Sequence, residues 1–258
     1  MPDKVFTVEG LHFSYGKHTV LKGLDLTLHE GAVTTLIGAN GCGKSTLFNL
    51  MTKNLKPDRG IIRLRNRDIS TMKLRDFARQ VAIVHQYNTA PPDLSVEKLV
   101  SYGRTPYHRM GLSSDVREDA ERVRRAMEIT QILKYRNKPV AELSGGQKQR
   151  VWIALALAQD TGVLFLDEPT TYLDIRYQLQ ILRMVRSLNR DYGITVVMVL
   201  HDMNQSLHYS DEIVAMKDGR IIAQGSPETI VTPDLVRRVY DVELPVSIVD
   251  GKPFVLSI

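Results

Sequence analysis

Leu24, Leu26 and Leu28 alternate with Asp25 and Thr27, the period-two pattern of a strand with one buried face. Residues 32–37 form a short apolar run that meets Gly38 and gives way to helical character over 45–50. Two further buried-strand runs follow: 163–166, ending in Asp167-Glu168-Pro169, and 194–200, ending in His201-Asp202. Continuous apolar runs separated by helical segments predict parallel strands covered on both faces, an α/β architecture. Residues 91–143 differ. They are polar and Arg-rich, and Val123, Ala126, Met127, Thr130 and Leu133 recur at helical spacing, which predicts an inserted helical lobe. Arg63, Arg65 and Arg67 alternate as on one strand. Asp218-Gly219 and Asp250-Gly251, each flanked by apolar runs, are hairpin signals.

Composition narrows the class. At 258 residues, with 43% hydrophobic and 24% charged positions, the chain is long enough to bury a substantial core. A net charge of +5 is compatible with nucleotide, nucleic acid or lipid headgroups, although scattered Lys and Arg mostly solvate a surface. A single cysteine, Cys42, excludes an intramolecular disulfide and suits a reducing compartment. The longest unbroken apolar stretch, 151–158, has eight residues. A membrane span needs roughly 18. With no signal-peptide core at the start, the expectation is a soluble intracellular protein, any membrane crossing being left to another chain.

Gly38-Ala39-Asn40-Gly41-Cys42-Gly43-Lys44-Ser45 has the G-x-x-x-x-G-K-[ST] spacing between a buried strand and a helix. The glycines let successive backbone N–H groups converge on phosphate oxygens, and the helix N-terminus adds its positive dipole end. Lys44 would reach the β- and γ-phosphates, and Ser45 would offer its hydroxyl to Mg²⁺. Asp167, closing a buried strand, is the natural Mg²⁺ carboxylate, since a charge there is costly without a cation. Adjacent acids on a strand end point to different sides, so Glu168 is free to polarise an attacking water. His201, at the carboxyl end of another strand, is placed to bond the γ-phosphate or hold that water.

A second anion cradle is written at Leu143-Ser144-Gly145-Gly146-Gln147, where Ser144 is a good N-cap and the two glycines bare the backbone N–H groups of a buried helix. Either each cradle binds its own ligand, or the second closes over a nucleotide held by another copy.

Taken in order, residues 38–46, Gln86, 143–147, 164–169, Leu173-Asp174 and His201 resemble the nucleotide-binding subunit of ATP-binding cassette (ABC) transporters, over nearly the whole chain. The resemblance implies an α/β, ABC-type P-loop ATPase with a mostly parallel core sheet, an antiparallel β subdomain and an inserted helical subdomain. The boundaries expected are 1–86 and 143–240 for the nucleotide-binding core with its β subdomain, 87–142 for the helical subdomain and 241–258 for a C-terminal strand hairpin. It implies ATP held by Tyr15, stacked on adenine, and by Gly38, Asn40, Gly41, Cys42, Gly43, Lys44, Ser45 and Thr46. Ser45, Gln86 and Asp167 would hold Mg²⁺, with Glu168, His201 and Lys44 catalytic. A head-to-tail homodimer is implied, in which Ser144, Gly145, Gly146 and Gln147 act on the partner subunit's ATP and Asp174 lies in the loop crossing the interface. Ala39 departs from the proline common in the family, at a cost in loop rigidity.

Within the family, Gly103-Arg104-Thr105-Pro106-Tyr107, Thr170-Thr171-Tyr172-Leu173-Asp174-Ile175 and Leu200-His201-Asp202-Met203-Asn204-Gln205 are most similar to ATPase subunits of ferric-siderophore, haem and cobalamin importers. That similarity implies two integral membrane permease subunits, an extracytoplasmic substrate-binding protein, and a peripheral position on the cytoplasmic face of the cell membrane. Arg104 and Tyr107 are expected at the permease contact. Two other classes fit less well. Soluble cassette ATPases that bind nucleic acid usually carry two cassettes or a long coiled-coil insertion, so no nucleic-acid partner is expected. A GTP switch needs Asn-Lys-x-Asp, whereas Asn137-Lys138-Pro139-Val140 lacks the acid.

Overall fold

The structure, a computed structural model, describes residues 3–108 and 116–256. Two compact units divide the chain: Met1–Met72 with Thr195–Ile258, and Lys73–Ile194.

The first unit opens with a long hairpin of β1 (Lys4–Tyr15) and β2 (His18–His29), followed by β3 (Val33–Ile37), α1 (Lys44–Met51), β4 (Arg59–Leu64) and β5 (Arg67–Asp68). An antiparallel sheet runs in the order β2-β1-β4-β5. Its inner face is the expected alternation, with Leu24, Leu26 and Leu28 buried and Asp25 exposed. The Arg63–Arg65–Arg67 alternation is not one strand. β4 ends at Leu64, and Arg65 and Asn66 turn the chain with positive φ of 45° and 67°. Asn tolerates that left-handed region, and no apolar side chain there holds the strand to a core.

The second unit comprises α2 (Leu74–Ala78), β6 (Val81–Val84), α3 (Val96–Ser101), α4 (Val116–Ile129), α5 (Gly145–Ala158), β7 (Val163–Asp167) and α6 (Ile175–Tyr192). β6 and β7 pair in parallel, from Val81 opposite Val163 to Val84 opposite Leu166. The unit takes in more than 87–142, because Val96, Leu99, Val123 and Met127 bury themselves against Val151 and Ala154 of α5. The apolar period expected to run to Leu133 ends early. α4 stops at Ile129, the Thr130 hydroxyl donates back to the Ala126 carbonyl at 2.8 Å, and Gln131 takes φ 60°.

The chain returns to the first unit with β8 (Thr195–Val199), α7 (Met203–Tyr209), β9 (Glu212–Lys217), β10 (Arg220–Gly225), α8 (Pro227–Ile230), α9 (Pro233–Tyr240), β11 (Val246–Val249) and β12 (Lys252–Val255). The strand order is β10-β9-β3-β8, with β3 parallel to both β8 and β9. All five residues of β3 and of β8 are buried, Thr34, Thr35 and Thr195 among them, as expected of strands covered on both faces. Leu207 of α7 and Leu235, Val236 and Val239 of α9 pack with Ile213 and Ala215 of β9. Both Asp-Gly pairs form hairpins, Asp218 and Asp250 each at φ 49° and the glycines each at 78°, the tight primed-turn geometry that the dipeptide favours. Among the described residues, no helix is long and apolar enough to cross a membrane.

Candidate functional site

In the first unit, buried β3 delivers the chain to Gly38 and α1 begins at Lys44. The loop between them cannot carry side chains at two of its glycines. A Cβ on Gly38 would lie 2.4 Å from the Met216 carbonyl oxygen and 2.6 Å from the Cys42 Sγ, and one on Gly43 would lie 2.8 Å from Leu21 Cδ2. Both positions also take positive φ, 152° and 108°. The curl is fastened by Cys42 N–H donating to the Ala39 carbonyl at 3.2 Å and Gly219 N–H donating to the Cys42 carbonyl at 3.0 Å. No side chain caps α1 at Gly43, so its first-turn donors remain for an acceptor from outside.

Lys44 is buried, and its Nζ lies inside this loop, donating to the carbonyls of Gly38 at 2.7 Å and Ala39 at 3.1 Å, with the Cys42 Sγ at 3.9 Å. Asn40 and Ser45 are exposed on either side, while Thr46 is buried in the first turn. Curled backbone donors, an open helix start and a buried ammonium together make an anion cradle. Tyr15 is 54% exposed at the end of β1, its ring edge-on to Phe13 with centroids 4.8 Å apart, so it is not a core tyrosine. His201, two residues beyond β8, is exposed, and Asp202 caps α7 by accepting from the Gln205 N–H at 2.8 Å.

Tyr240, at the end of α9, was not visible as a site residue in the sequence. Its hydroxyl is placed at the Gly38 backbone, and burial pushes its phenol up to about 12. Nothing local marks Tyr240, because the contact is made across about 200 residues of chain by the packing of α9.

In the second unit, Asp167 is the last residue of β7 and Glu168 follows with φ 49°. A positive φ at a non-glycine acid is strained backbone, of the kind that gathers where a side chain must be aimed. The Glu168 carboxylate accepts from the Gln86 Nε2 and from the Thr171 Oγ1, the latter at 3.1 Å. The structure thus joins Gln86 and Glu168, which lie far apart in the sequence. Gln86 spends its amide nitrogen on this bond, leaving the amide oxygen as the group suited to a cation. Within this unit the Gln86 amide oxygen and the Asp167 carboxylate are hard oxygen donors, the chemistry that suits Mg²⁺.

Ser144 caps α5 as expected, in a reciprocal capping box: its Oγ accepts from the Gln147 N–H, and Gln147 Oε1 accepts from the Ser144 N–H at 3.0 Å. Gln147 also donates to the Tyr135 hydroxyl at 3.0 Å, so its side chain is used within the subunit. Ser144 and Gly145 are exposed, whereas a Cβ on buried Gly146 would lie 2.6 Å from Tyr177 Cδ1. Asp174 is exposed and caps α6, accepting from the Tyr177 N–H at 3.1 Å. Beside it stand Tyr172, 82% exposed, and Ile175, 69% exposed.

One expectation needs correcting. Arg104 is only 4% exposed and points inward, with Nε on the Asp119 carboxylate at 2.7 Å and Nη1 on the Ala158 carbonyl at 3.0 Å. Its guanidinium lies over the Tyr107 ring, 3.9 Å from the centroid, and the Tyr107 hydroxyl donates to the Gln159 carbonyl. Gly103 forces the inward path, since a Cβ there would lie 2.2 Å from the Leu155 carbonyl oxygen. The pair is an internal brace, and Arg104 presents no surface for a permease.

The chain matches the ABC transporter family model over residues 21–171. It is 41% identical over 237 residues to the iron(3+)-hydroxamate import ATP-binding protein FhuC of Bacillus subtilis, covering 92% of this chain and 88% of that protein. It is 40% identical over 252 residues to the ferric enterobactin transport ATP-binding protein FepC of Escherichia coli, covering 97% and 93%. Among solved structures, CbiO1 of Clostridium perfringens, part of the ABC transporter complex CbiONQ, is similar with a TM-score of 0.79 at 33% identity, covering 92% of this chain and 94% of that one.

Proposed function

The chain belongs to the ABC transporter family, and from that premise we propose that it is the ATP-hydrolysing subunit of an importer that takes up a ferric siderophore across the cytoplasmic membrane. The observation that carries this reading is identity of about 40% over more than nine-tenths of the chain with ATP-binding proteins of iron-chelate import. Two copies would work on two permease subunits at the cytoplasmic face, with a substrate-binding protein delivering cargo outside.

The loop from Gly38 to Thr46 binds the phosphates, with Lys44 as their clamp and Tyr15 stacking on the base. Bound Mg²⁺, held by Ser45, Gln86 and Asp167, would neutralise phosphate charge. Glu168, fixed by Gln86 and Thr171, takes the proton from the attacking water, and His201 holds the γ-phosphate or that water. Ser144, Gly145 and Gly146, at the start of α5, would act on the partner's ATP, and Asp174 would lie at the dimer interface.

Purification from detergent-solubilised membranes tests the assembly, and uptake of a radio-iron siderophore in cells tests the cargo. Copurifying permeases and iron uptake abolished by Glu168→Gln are the expected results. Uptake of cobalamin or haem lost in place of iron would replace the cargo assignment, and copurification with nucleic acid alone would reject transport.

A further inference from the structure

The second unit contains a groove of about 670 Å³ between the segment after α4, the first turns of α5 and one face of α6. That volume falls in the range of small-molecule sites, about 300–1,000 Å³. Its lining is cationic. Arg176 and Arg183 stand on one helical stripe of α6 with Gln180 between them, Lys134 faces them from the segment after α4, and Arg150 enters from α5. The acid on this lining, Asp191, is bound to Arg190 at 2.8 Å.

Arg150 is the informative residue. It is half-buried, and its guanidinium donates to the Thr130 carbonyl at 3.2 Å, to Gln131 Oε1 at 3.0 Å and to Gln180 Oε1 at 3.0 Å. All three acceptors are neutral. Burial lowers its pKa, since the guanidinium has lost part of its hydration. Natural proteins pair such a group, and here the pairing charge is absent from the described side chains while room for it is present. Guanidinium forks suit planar carboxylate and phosphate oxygens, because two parallel N–H donors meet two acceptors.

We propose that this groove binds a small organic or inorganic polyanion carrying two or three carboxylate or phosphate groups. The occupant lies against Gln147 and Tyr135, which also line the groove. Those two side chains hydrogen-bond each other, and Gln147 closes the capping box with Ser144. An anion drawing on Arg150 therefore bears on the turn that starts α5, and ATP turnover becomes sensitive to it. That consequence rests on the function proposed above; the binding does not.

Citrate and pyrophosphate are the probes, one for each anion chemistry, titrated calorimetrically into the full chain. Saturable binding of at least one is expected. The Arg176→Glu/Arg183→Glu double variant, altered at exposed positions, should weaken it tenfold or more, whereas Arg220→Glu on β10 should leave it unchanged. Lys44→Ala separates the phosphate loop, and pyrophosphate binding that disappears there but survives in the double variant overturns the proposal. Equal weakening by Arg220→Glu shows unspecific charge attraction and overturns it too, as does failure of both probes to bind. An ATPase rate that responds to the bound anion in the parent and not in the double variant supports the coupling. Binding without any rate response rejects the coupling while the site stands.

Discussion

Gln86 donates its amide N–H to the carboxylate of Glu168, whose backbone is held at φ 49° immediately beyond β7. The bond fixes the carboxylate from outside its own strand, and Thr171 adds a second donor at 3.1 Å. Glu168→Gln keeps the shape and removes the proton acceptor. ATP binding should persist while turnover falls by roughly 10²-fold or more. Gln86→Ala leaves the acceptor in place but removes both the proposed Mg²⁺ oxygen and a hydrogen bond to a charged group; the bond alone, about 1.5–3 kcal/mol, should lower turnover about 10- to 150-fold. Steady-state ATPase assays with a nucleotide-binding control measure both. Near-parental turnover in Glu168→Gln rejects the base assignment.

Arg104→Ala removes the guanidinium from the Asp119 carboxylate inside the second unit, while His108 Nε2, 2.9 Å from the other carboxylate oxygen, stays in place. Loss of a charge-assisted hydrogen bond of this kind costs about 1.5–3 kcal/mol, and the packing of the guanidinium is lost with it. Tyr107→Phe removes one hydrogen bond to the Gln159 carbonyl, about 1 kcal/mol. The two variants should therefore separate clearly in thermal or denaturant unfolding of the isolated subunit. If Arg104→Ala unfolds like the parent but fails to assemble with permeases, the inward brace is not its role.

The two glycines at the start of α5 should respond unequally to alanine. A Cβ on Gly146 would lie 2.6 Å from Tyr177 Cδ1 and 2.9 Å from its Cγ, a rigid ring with little room to move. Overpacking of that kind costs about 1–3 kcal/mol. At Gly145 the nearest atom is Leu173 Cδ2 at 3.5 Å, an ordinary contact, and stability should change by no more than about 0.5 kcal/mol. Equal melting temperatures for the two variants contradict the packing.

The phosphate loop was legible because its spacing, a buried strand before it and a helix after it are all local properties of the chain. Ser144 was legible for the same reason, as an N-cap three residues before Gln147. Arg104 was misread since sequence shows an arginine beside an aromatic but not which way a turn faces; the Gly103 contact that turns it inward is tertiary. The Gln86–Glu168 bond, the strain at Glu168 and the place of Gln147 beside Tyr135 likewise arise only when distant segments meet. Helix α4 ends earlier than its apolar period, because the Thr130 hydroxyl and the left-handed backbone of Gln131 close it.

Tyr240 extends this to the loop itself. Its hydroxyl meets the Gly38 backbone, and burial raises its phenol from 10.0 to about 12. Tyr240→Phe keeps the ring and removes the support, so the loop's geometry loosens without loss of any group that touches phosphate. The affinity for ATP should fall several-fold, on the order of one neutral hydrogen bond, with the turnover of bound ATP nearly unchanged. The pH dependence supplies an independent reading. Between pH 10 and about 12 the folded chain keeps the phenolic proton that the unfolded chain has released. The folded state then binds more protons, so stability from this group is complete below pH 10 and is lost as pH rises towards 12. Denaturant midpoints at pH 9 and pH 11 should fall less steeply in Tyr240→Phe than in the parent. Identical slopes, with ATP affinity also unchanged, would show that the tyrosine packs α9 and does nothing for the loop.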